Sequence, residues 1–571
     1  MAWSHRNTFV DGYIYLHVVQ NILAGHGPVF NQGQRVEAFT SPLWTFVVSA
    51  AGFLTPFPLE WLAVVLGILL TLAGTSIAIL GSSRLVHRAS PGSFLLPIGA
   101  VVFVAIPPIW SLSSTGLETG LTFFWLGTCL MLLVRWADGP YRPMTRYGLV
   151  ILGLGPLVRP ELAIDSLVLV GVLLCVDWST QSWRDRLRVI GWAVAVPIAY
   201  QIFRMGYYGV LVSNVATAKE ATDPRVGRGI QYFADFVGPY WMFIPAAALF
   251  LGAYYPLALV FRRTLKDNRE LWALLALPTA GALNAVYVIV MGGDYVHGRL
   301  LVAPFFAACA PIAVIPMARR YVIALLVLPW ALICSLSLRS ADDGPWNSSP
   351  FTSVNLSGQI AEIDWGLRGS DHNWYQGPGT YVNFGGVPAQ TQHLSLASTS
   401  DGHSFVLATS WIGTASFELG TNVRILDLLG LADPLTAHLA LSKRGEFAGH
   451  EKPLPVPWIA ALLSPDGSSA QQLAALQHER PTGFTPLIPS VSGRQLQIET
   501  AWARAALTCP AIHDLEYSTS RPLTFGSFIS NVYHSFARTE IRIPPQPETA
   551  YHRFCGPGIP PQVRQIVNGP A

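Results

Sequence analysis

Five places along this 571-residue chain combine ionisable side chains with glycine or proline in a way that suits chemistry. The first runs from Asp11 to Trp44: Asp11 precedes a short amphipathic stretch and a Gly-rich turn, and Glu37 follows. Glu118 comes after Gly116-Leu117, and Arg159-Pro160-Glu161 makes a corner between two apolar segments. Arg204, Tyr207 and Tyr208 close another apolar segment, with Lys219 in the loop beyond, and Gly292 to Arg299 packs Asp294, His297 and Arg299 between glycines. Carboxylates of this kind activate a hydroxyl as general base or attack as nucleophile, and guanidinium and ammonium groups hold a phosphate. That is the inventory for glycosyl transfer from a polyprenyl-phosphate sugar.

Each place also has a plainer reading. Asp11 is as well suited to cap a helix over 12–23 as to do chemistry, and Glu118 suits the start of a helix at 119. Arg159 paired with Glu161 or Glu118 would be structural, although charges near membrane depth are costly unless paired or functional. Tyr207 and Tyr208 read as an interfacial aromatic belt. Asp294, His297 and Arg299 in one tight turn are harder to explain as filler and point to substrate. No ligand set of clear spacing appears, so a divalent cation stays open.

The elements that position these residues are apolar. Hydrophobic residues make up 51% of the chain and charged ones 12%, about half the charge usual in soluble domains, which marks an integral membrane protein. The net charge of +3 is spread over many loops and gives no nucleic-acid footprint. Segments near 60–82, 94–110, 119–135, 147–157, 161–176, 187–207, 241–261, 271–291, 300–317 and 321–338 read as membrane helices, those around Arg159-Pro160 broken or tilted. Segment 42–57 reads as re-entrant or interfacial. Basic residues at Arg84 and Arg88, Arg135–Arg146, Arg184–Arg188, Arg262–Arg269 and Arg319-Arg320 mark alternate loops as cytoplasmic. The remaining loops, with every candidate residue, then face outward. This parity puts the N-terminus outside with no apolar segment to carry it there, so the expectation is a gene start upstream and an eleventh helix.

From about 340 the composition turns to Gly, Pro, Ser and Thr with short alternating runs at Ser404–Thr409 and Val423–Leu429. The reading is two domains: 1–339 in the membrane, and 340–571 as an extracytoplasmic domain of mixed β and α structure. Cys509 and Cys555 are the two cysteines of this polar region. They either bridge, as an oxidising compartment allows, or stay a free buried pair.

Further stretches carry a resemblance. Residues 22–38, 114–121, VRPELA at 158–163, YQIFRMGYYG at 200–209 with Ala218-Lys219, and GGDYVHGR at 292–299 are similar to actinobacterial terminal β-(1→2) arabinofuranosyltransferases. So are GLADPLTAH at 430–438, GHEK at 449–452, FISNVYHSF at 528–536, Cys509-Pro510 and Cys555. The resemblance runs nearly end to end. It implies a polytopic α-helical membrane protein of the GT-C type with a carbohydrate-binding C-terminal domain. It further implies a decaprenylphosphoryl-arabinose donor, and the arabinan of arabinogalactan or lipoarabinomannan as acceptor. The family carries a first membrane helix and an acidic pair where this chain has Val10-Asp11, so only Asp11 is kept. A β donor giving a β product means net retention, which needs a carboxylate nucleophile or front-face attack through an ion pair.

The expected roles follow. Asp11 is the catalytic carboxylate, as base or nucleophile, with Glu118 or Asp294 for a second function. Arg204, Lys219, His297 and Arg299 hold the donor phosphate; Glu37, Glu118, Arg159, Glu161, Tyr207, Tyr208 and Asp294 shape the pocket. The expected location is the plasma membrane, multi-pass, with membrane lipid as a partner and the active site on the extracytoplasmic side. The rivals are a mannosyltransferase using polyprenyl-phosphate mannose and a non-catalytic glycan-binding or transport protein. Transporters commonly show internal repeats, and the sequence has none.

Overall fold

The computed structural model describes residues 10–138, 143–177, 181–220, 223–264, 269–317, 319–337, 379–383, 392–394, 405–409, 412–442, 451–463 and 493–569. They form two compact units, neither continuous in sequence. One holds 41–200 and 222–359; the other holds 10–40, 201–221 and 360–571. The 339/340 boundary lies outside the described residues.

The first unit is a helical bundle. Among the described residues four helices are long and apolar enough to cross a membrane: Leu59–Arg88, Thr119–Ala137, Trp183–Tyr208 (whose last turns belong to the other unit) and Arg269–Met291. The other segments read as crossings are shorter or broken, and proline accounts for the breaks in two of them. Segment 94–110 divides into Ile98–Ala105 and Pro107–Leu112, since Pro107-Pro108 supply no N–H to continue the ladder. Segment 300–317 becomes Val302–Cys309, a 3-10 turn around Pro311 and strand β2 (Ile315–Pro316), which pairs antiparallel with β1 (Leu95–Leu96). The corner at Arg159-Pro160 separates Gly155–Val158 from Ala163–Val176, as the sequence implied. Helix Pro42–Leu54, at 13 residues, is too short for the roughly 20-residue span of a bilayer core.

The best-packed pair in the bundle is Leu59–Ala89 with Thr119–Ala137, and glycine makes it possible. Gly67, Gly74 and Gly81 recur every seven residues on one helix, Gly120 and Gly127 on the other. A Cβ on Gly120 would lie 2.1 Å from the Gly67 carbonyl oxygen, and one on Gly127 2.3 Å from that of Gly74. Only hydrogen fits there, so the two backbones touch, a common packing mode for helices surrounded by lipid.

The second unit carries a four-stranded sheet in the order β4-β3-β5-β6. Strands β3 (Gly379–Asn383), β5 (Phe405–Thr409) and β6 (Arg424–Asp427) run parallel, and β4 (Gln392–Leu394) is antiparallel to β3. Both alternating runs noted in the sequence are strands here, linked by helix Ile412–Leu419. Leu435, Leu454, Trp458, Ile459, Leu496, Ile512 and Ile543 fill the core. Cys509 and Cys555 form a disulfide that ties the start of helix Pro510–Ser520 to the end of Pro547–Cys555. Helix Val10–Leu23 belongs to this unit, packing Tyr13 on Phe417 with ring centroids 5.1 Å apart.

Candidate functional site

In the bundle unit the candidate residues meet where three helices begin or end. Glu118 precedes the first turn of Thr119–Ala137, Arg159-Pro160-Glu161 precedes Ala163–Val176, and Gly292–Arg299 follows Arg269–Met291. Glu118 makes no capping hydrogen bond; its side chain is fully buried and bonded to Arg159, which also bonds Glu161. Arg299 extends the chain, with Nη2 4.0 Å from Glu118 Oε1 and Nη1 3.4 Å from Asp294 Oδ2. The result is a line Asp294–Arg299–Glu118–Arg159–Glu161, buried at its first three members and half-buried at Arg159 and Glu161, in which carboxylates outnumber guanidinium groups by one. Among the described residues Glu118 Oε2 has no hydrogen-bond partner. A buried acceptor left unmade is expensive, and this oxygen can accept a further donor.

The turn that carries Asp294, His297 and Arg299 is shaped by its glycines. Gly292, Gly293 and Gly298 have φ of +90°, +69° and +67°, a region closed to most side chains. Tyr232 pins the turn by donating to the Val296 carbonyl at 3.0 Å and accepting from Leu300 N at 3.1 Å. His297 is gripped from both sides: Nδ1 lies 2.5 Å from Asp235 Oδ2, and Nε2 3.1 Å from the Tyr240 hydroxyl. The Asp235 carboxylate can only accept, so Nδ1 is the donor in that bond. Sequence reasoning missed Asp235, Tyr240 and Tyr232. They sit about sixty residues upstream of the turn, and only the fold brings them to it.

The remaining candidates lie in the second unit. Asp11 is half-buried inside the first turn of Val10–Leu23, where the helix dipole favours a carboxylate. Arg204 makes a two-pronged bond to the buried Glu37, at 2.6 and 3.0 Å, and holds Gln201 Oε1 at 2.9 Å. Tyr208 is fully buried and donates to the Pro28 carbonyl, so an interfacial-belt role does not fit it. Tyr207 stacks on Phe203 and lies under the Arg35 guanidinium. Arg35, a residue the sequence gave no reason to single out, donates to the carbonyls of Tyr207, Ser518 and Arg521 at 2.7–2.9 Å. Lys219 is half-buried and makes no ion pair among the described residues. Its neighbour Glu220 receives Lys452 at 2.5 Å and Arg542 at 3.1 Å, which gives the Lys452 of the GHEK stretch a structural place; 449 and 450 lie outside the described residues.

No group of three or more His, Cys, Asp or Glu converges as metal ligands among the described residues. The carboxylates of the bundle line are arranged for guanidinium groups.

Burial also sets protonation in the second unit. It pushes Asp427 up to about 7 and Glu516 up to about 8 and raises Asp433, while His17 and His438 are pushed down to about 4. The histidines, neutral in the fold, cost stability only as pH falls below their unfolded value near 6.5. The acids keep their protons in the fold, so their stabilisation is full below pH 4 and is lost as pH rises through the folded values. From pH 6.5 to 8 Asp427 and Glu516 give up their protons, and the stability they contribute to this unit is lost. The amides of Leu429 and Ala432, which donate to Asp427, are expected to lose exchange protection over that interval after correction for intrinsic rates. Constant protection would refute it.

Comparison with known proteins gives the chain a place. No family model matches it. The terminal β-(1→2)-arabinofuranosyltransferase of Mycobacterium tuberculosis is 30% identical, over 98% of this chain and 97% of that protein. The protein of the same description from Corynebacterium glutamicum is 30% identical over 97% of this chain and 85% of its own length. Among solved structures, ArnT from Cupriavidus metallidurans bound to undecaprenyl phosphate covers 87% of this chain and 81% of its own, at 16% identity and a TM-score of 0.36. That likeness is too loose to place a residue. The identity to the two curated proteins spans this chain nearly end to end, and the chain belongs to the family of terminal β-(1→2)-arabinofuranosyltransferases.

Proposed function

We propose that this arabinofuranosyltransferase takes arabinofuranose from decaprenylphosphoryl-arabinose and places it on the 2-hydroxyl of cell-wall arabinan, working as a GT-C enzyme at the extracytoplasmic face of the plasma membrane. The observation that carries the reading is the Asp294–Arg299–Glu118–Arg159–Glu161 line, with its unpartnered carboxylate oxygen at the ends of membrane-length helices. In the transfer the acceptor oxygen bonds to C1, the C1–O bond to phosphate breaks, and the hydroxyl proton passes to a carboxylate. Decaprenyl phosphate leaves, and positive charge near it lowers the barrier to its departure.

Within the bundle unit the proposal gives Arg299 to the donor phosphate and Glu118 to a sugar hydroxyl through Oε2; His297, expected on the phosphate, has both ring nitrogens engaged by Asp235 and Tyr240 and is assigned instead to holding the turn that carries Arg299. Arg159, Glu161 and Asp294 hold those groups in place. In the second unit Asp11 is the catalytic carboxylate, acting as base in a front-face route or as nucleophile in a double displacement; both give a β product from a β donor. Lys219 and Arg204 are assigned to phosphate, Arg204 while bonded to Glu37. The region 340–571 is assigned to carbohydrate binding. Mannosyl transfer and a non-catalytic role have no support in the relatives, both of which are arabinofuranosyltransferases.

The test is transfer of labelled arabinose from decaprenylphosphoryl-arabinose to a synthetic arabinan, with polyprenyl-phosphate mannose in parallel. Wild-type protein should form a β-1,2 product from the arabinose donor alone, and Asp11→Asn should lose roughly two to four orders of magnitude in turnover at normal expression. Full activity in Asp11→Asn would remove Asp11 from catalysis, and preference for the mannose donor would overturn the donor assignment.

A further inference from the structure

Helix Phe525–Thr539 is inside out for a helix on a water-soluble domain. A capping box starts it, Thr524 Oγ1 accepting from Ser527 N and Ser527 Oγ accepting from Thr524 N. The face turned to the protein is polar: Asn531, Ser535, Arg538 and Thr539 are all buried. Asn531 donates to the Gly206 carbonyl at 3.0 Å, Arg538 makes a two-pronged bond to Asp514, and Thr539 Oγ1 accepts from Leu211 N at 2.8 Å. Phe528 and Val532 are half-buried, and the other apolar residues point away from the protein. Phe525, Ile529, Tyr533 and Phe536 fall on one stripe at spacings of four, four and three, and are 83%, 51%, 83% and 64% exposed. A third face, next to the stripe, carries the small or polar Gly526, Ser530, His534 and Ala537.

What the helix packs on says what covers the stripe. The Asn531 bond ends on Gly206, and the Phe528 ring lies where a Cβ on Gly206 would stand, 2.2 Å away. Gly206 is in the last turn of Trp183–Tyr208, a helix of crossing length that leaves Ile202, one turn earlier, half exposed. The stripe therefore starts where a membrane-length helix ends. We propose that Phe525–Thr539 lies in the membrane interface, with Phe525, Ile529, Tyr533 and Phe536 in lipid at the acyl–headgroup boundary and Ser530 and His534 toward water. Apolar faces of interfacial helices sink into that boundary, and an aromatic with a polar tip, as at Tyr533, suits it.

The experiment uses the full chain in vesicles of phosphatidylcholine and phosphatidylglycerol. With the exposed Cys175 replaced by Ser, single spin labels are placed through Ile529→Cys, Tyr533→Cys, Ser530→Cys and His534→Cys. Labels at 529 and 533 should collide severalfold more with oxygen than with a water-soluble nickel chelate, and those at 530 and 534 the reverse. Equal nickel access at all four would overturn the proposal, and so would labels at 529 and 533 shielded from both reagents, which means a protein or second copy covers the stripe. As an independent readout, a photoreactive benzoylphenylalanine at position 533 should give lipid adducts; protein dimers without lipid adducts would overturn it.

Discussion

Glu118→Gln is expected to lower transfer by roughly two to four orders of magnitude while leaving the protein folded. The charge balance separates the two effects. The bundle line has one more carboxylate than guanidinium, so neutralising Glu118 leaves Arg159 with Glu161 and Arg299 with Asp294. No buried cation is left without a counter-charge, the usual route by which such a change unfolds a protein. Glutamine keeps the volume and one acceptor for Arg159, but it replaces the unpartnered Oε2 with an N–H₂ where an acceptor is needed. Turnover and donor KM should be measured beside the thermal midpoint. An unchanged midpoint with lost turnover is the expected pattern, and wild-type turnover would sink the assignment of Glu118 to the sugar.

Glu37→Ala should act in the opposite sense, through the fold. The Glu37 side chain is entirely buried and makes both prongs of the bond to Arg204. Removing it takes the carboxylate away from a guanidinium that keeps little access to water, a loss of about 3 kcal/mol, the lower end for a broken buried pair because Arg204 is not fully enclosed and keeps its bond to Gln201. Exchange protection of amides 201–209 reads this directly. Protection equal to wild type would mean that the pair contributes nothing. Glu37→Gln should recover part of the loss, since its amide oxygen still accepts one of the two Arg204 bonds.

Residue type and local spacing made much of this legible. The glycines of 292–299 announced a tight turn, Arg159-Pro160 announced a break, and the alternating runs at 404–409 and 423–429 announced strands; each rests on chemistry within a few residues. Glu118 was harder. A carboxylate just before a helix reads as a cap, and only the approach of Arg159, 41 residues away, shows otherwise. Asp235 behind His297 and Arg35 over Tyr207 were beyond reach for the same reason, because nothing local distinguishes them from solvated charges. Helix Phe525–Thr539 shows a different limit: apolar periodicity reports that a face is apolar without saying what covers it.

The glycine seam between Leu59–Ala89 and Thr119–Ala137 has a mechanical meaning. Where two backbones touch through hydrogen alone, there are no rotamers to exchange, and the contact either holds its register or separates completely. The pair is thus a stiff strut, and Glu118, two residues before Gly120, is fixed to its end. If the bundle flexes to admit a lipid-linked donor, the bending belongs to weaker joints, such as the Arg159-Pro160 break or the π-helical turn at Phe250–Tyr254. The strut then serves as the frame of reference against which those joints move.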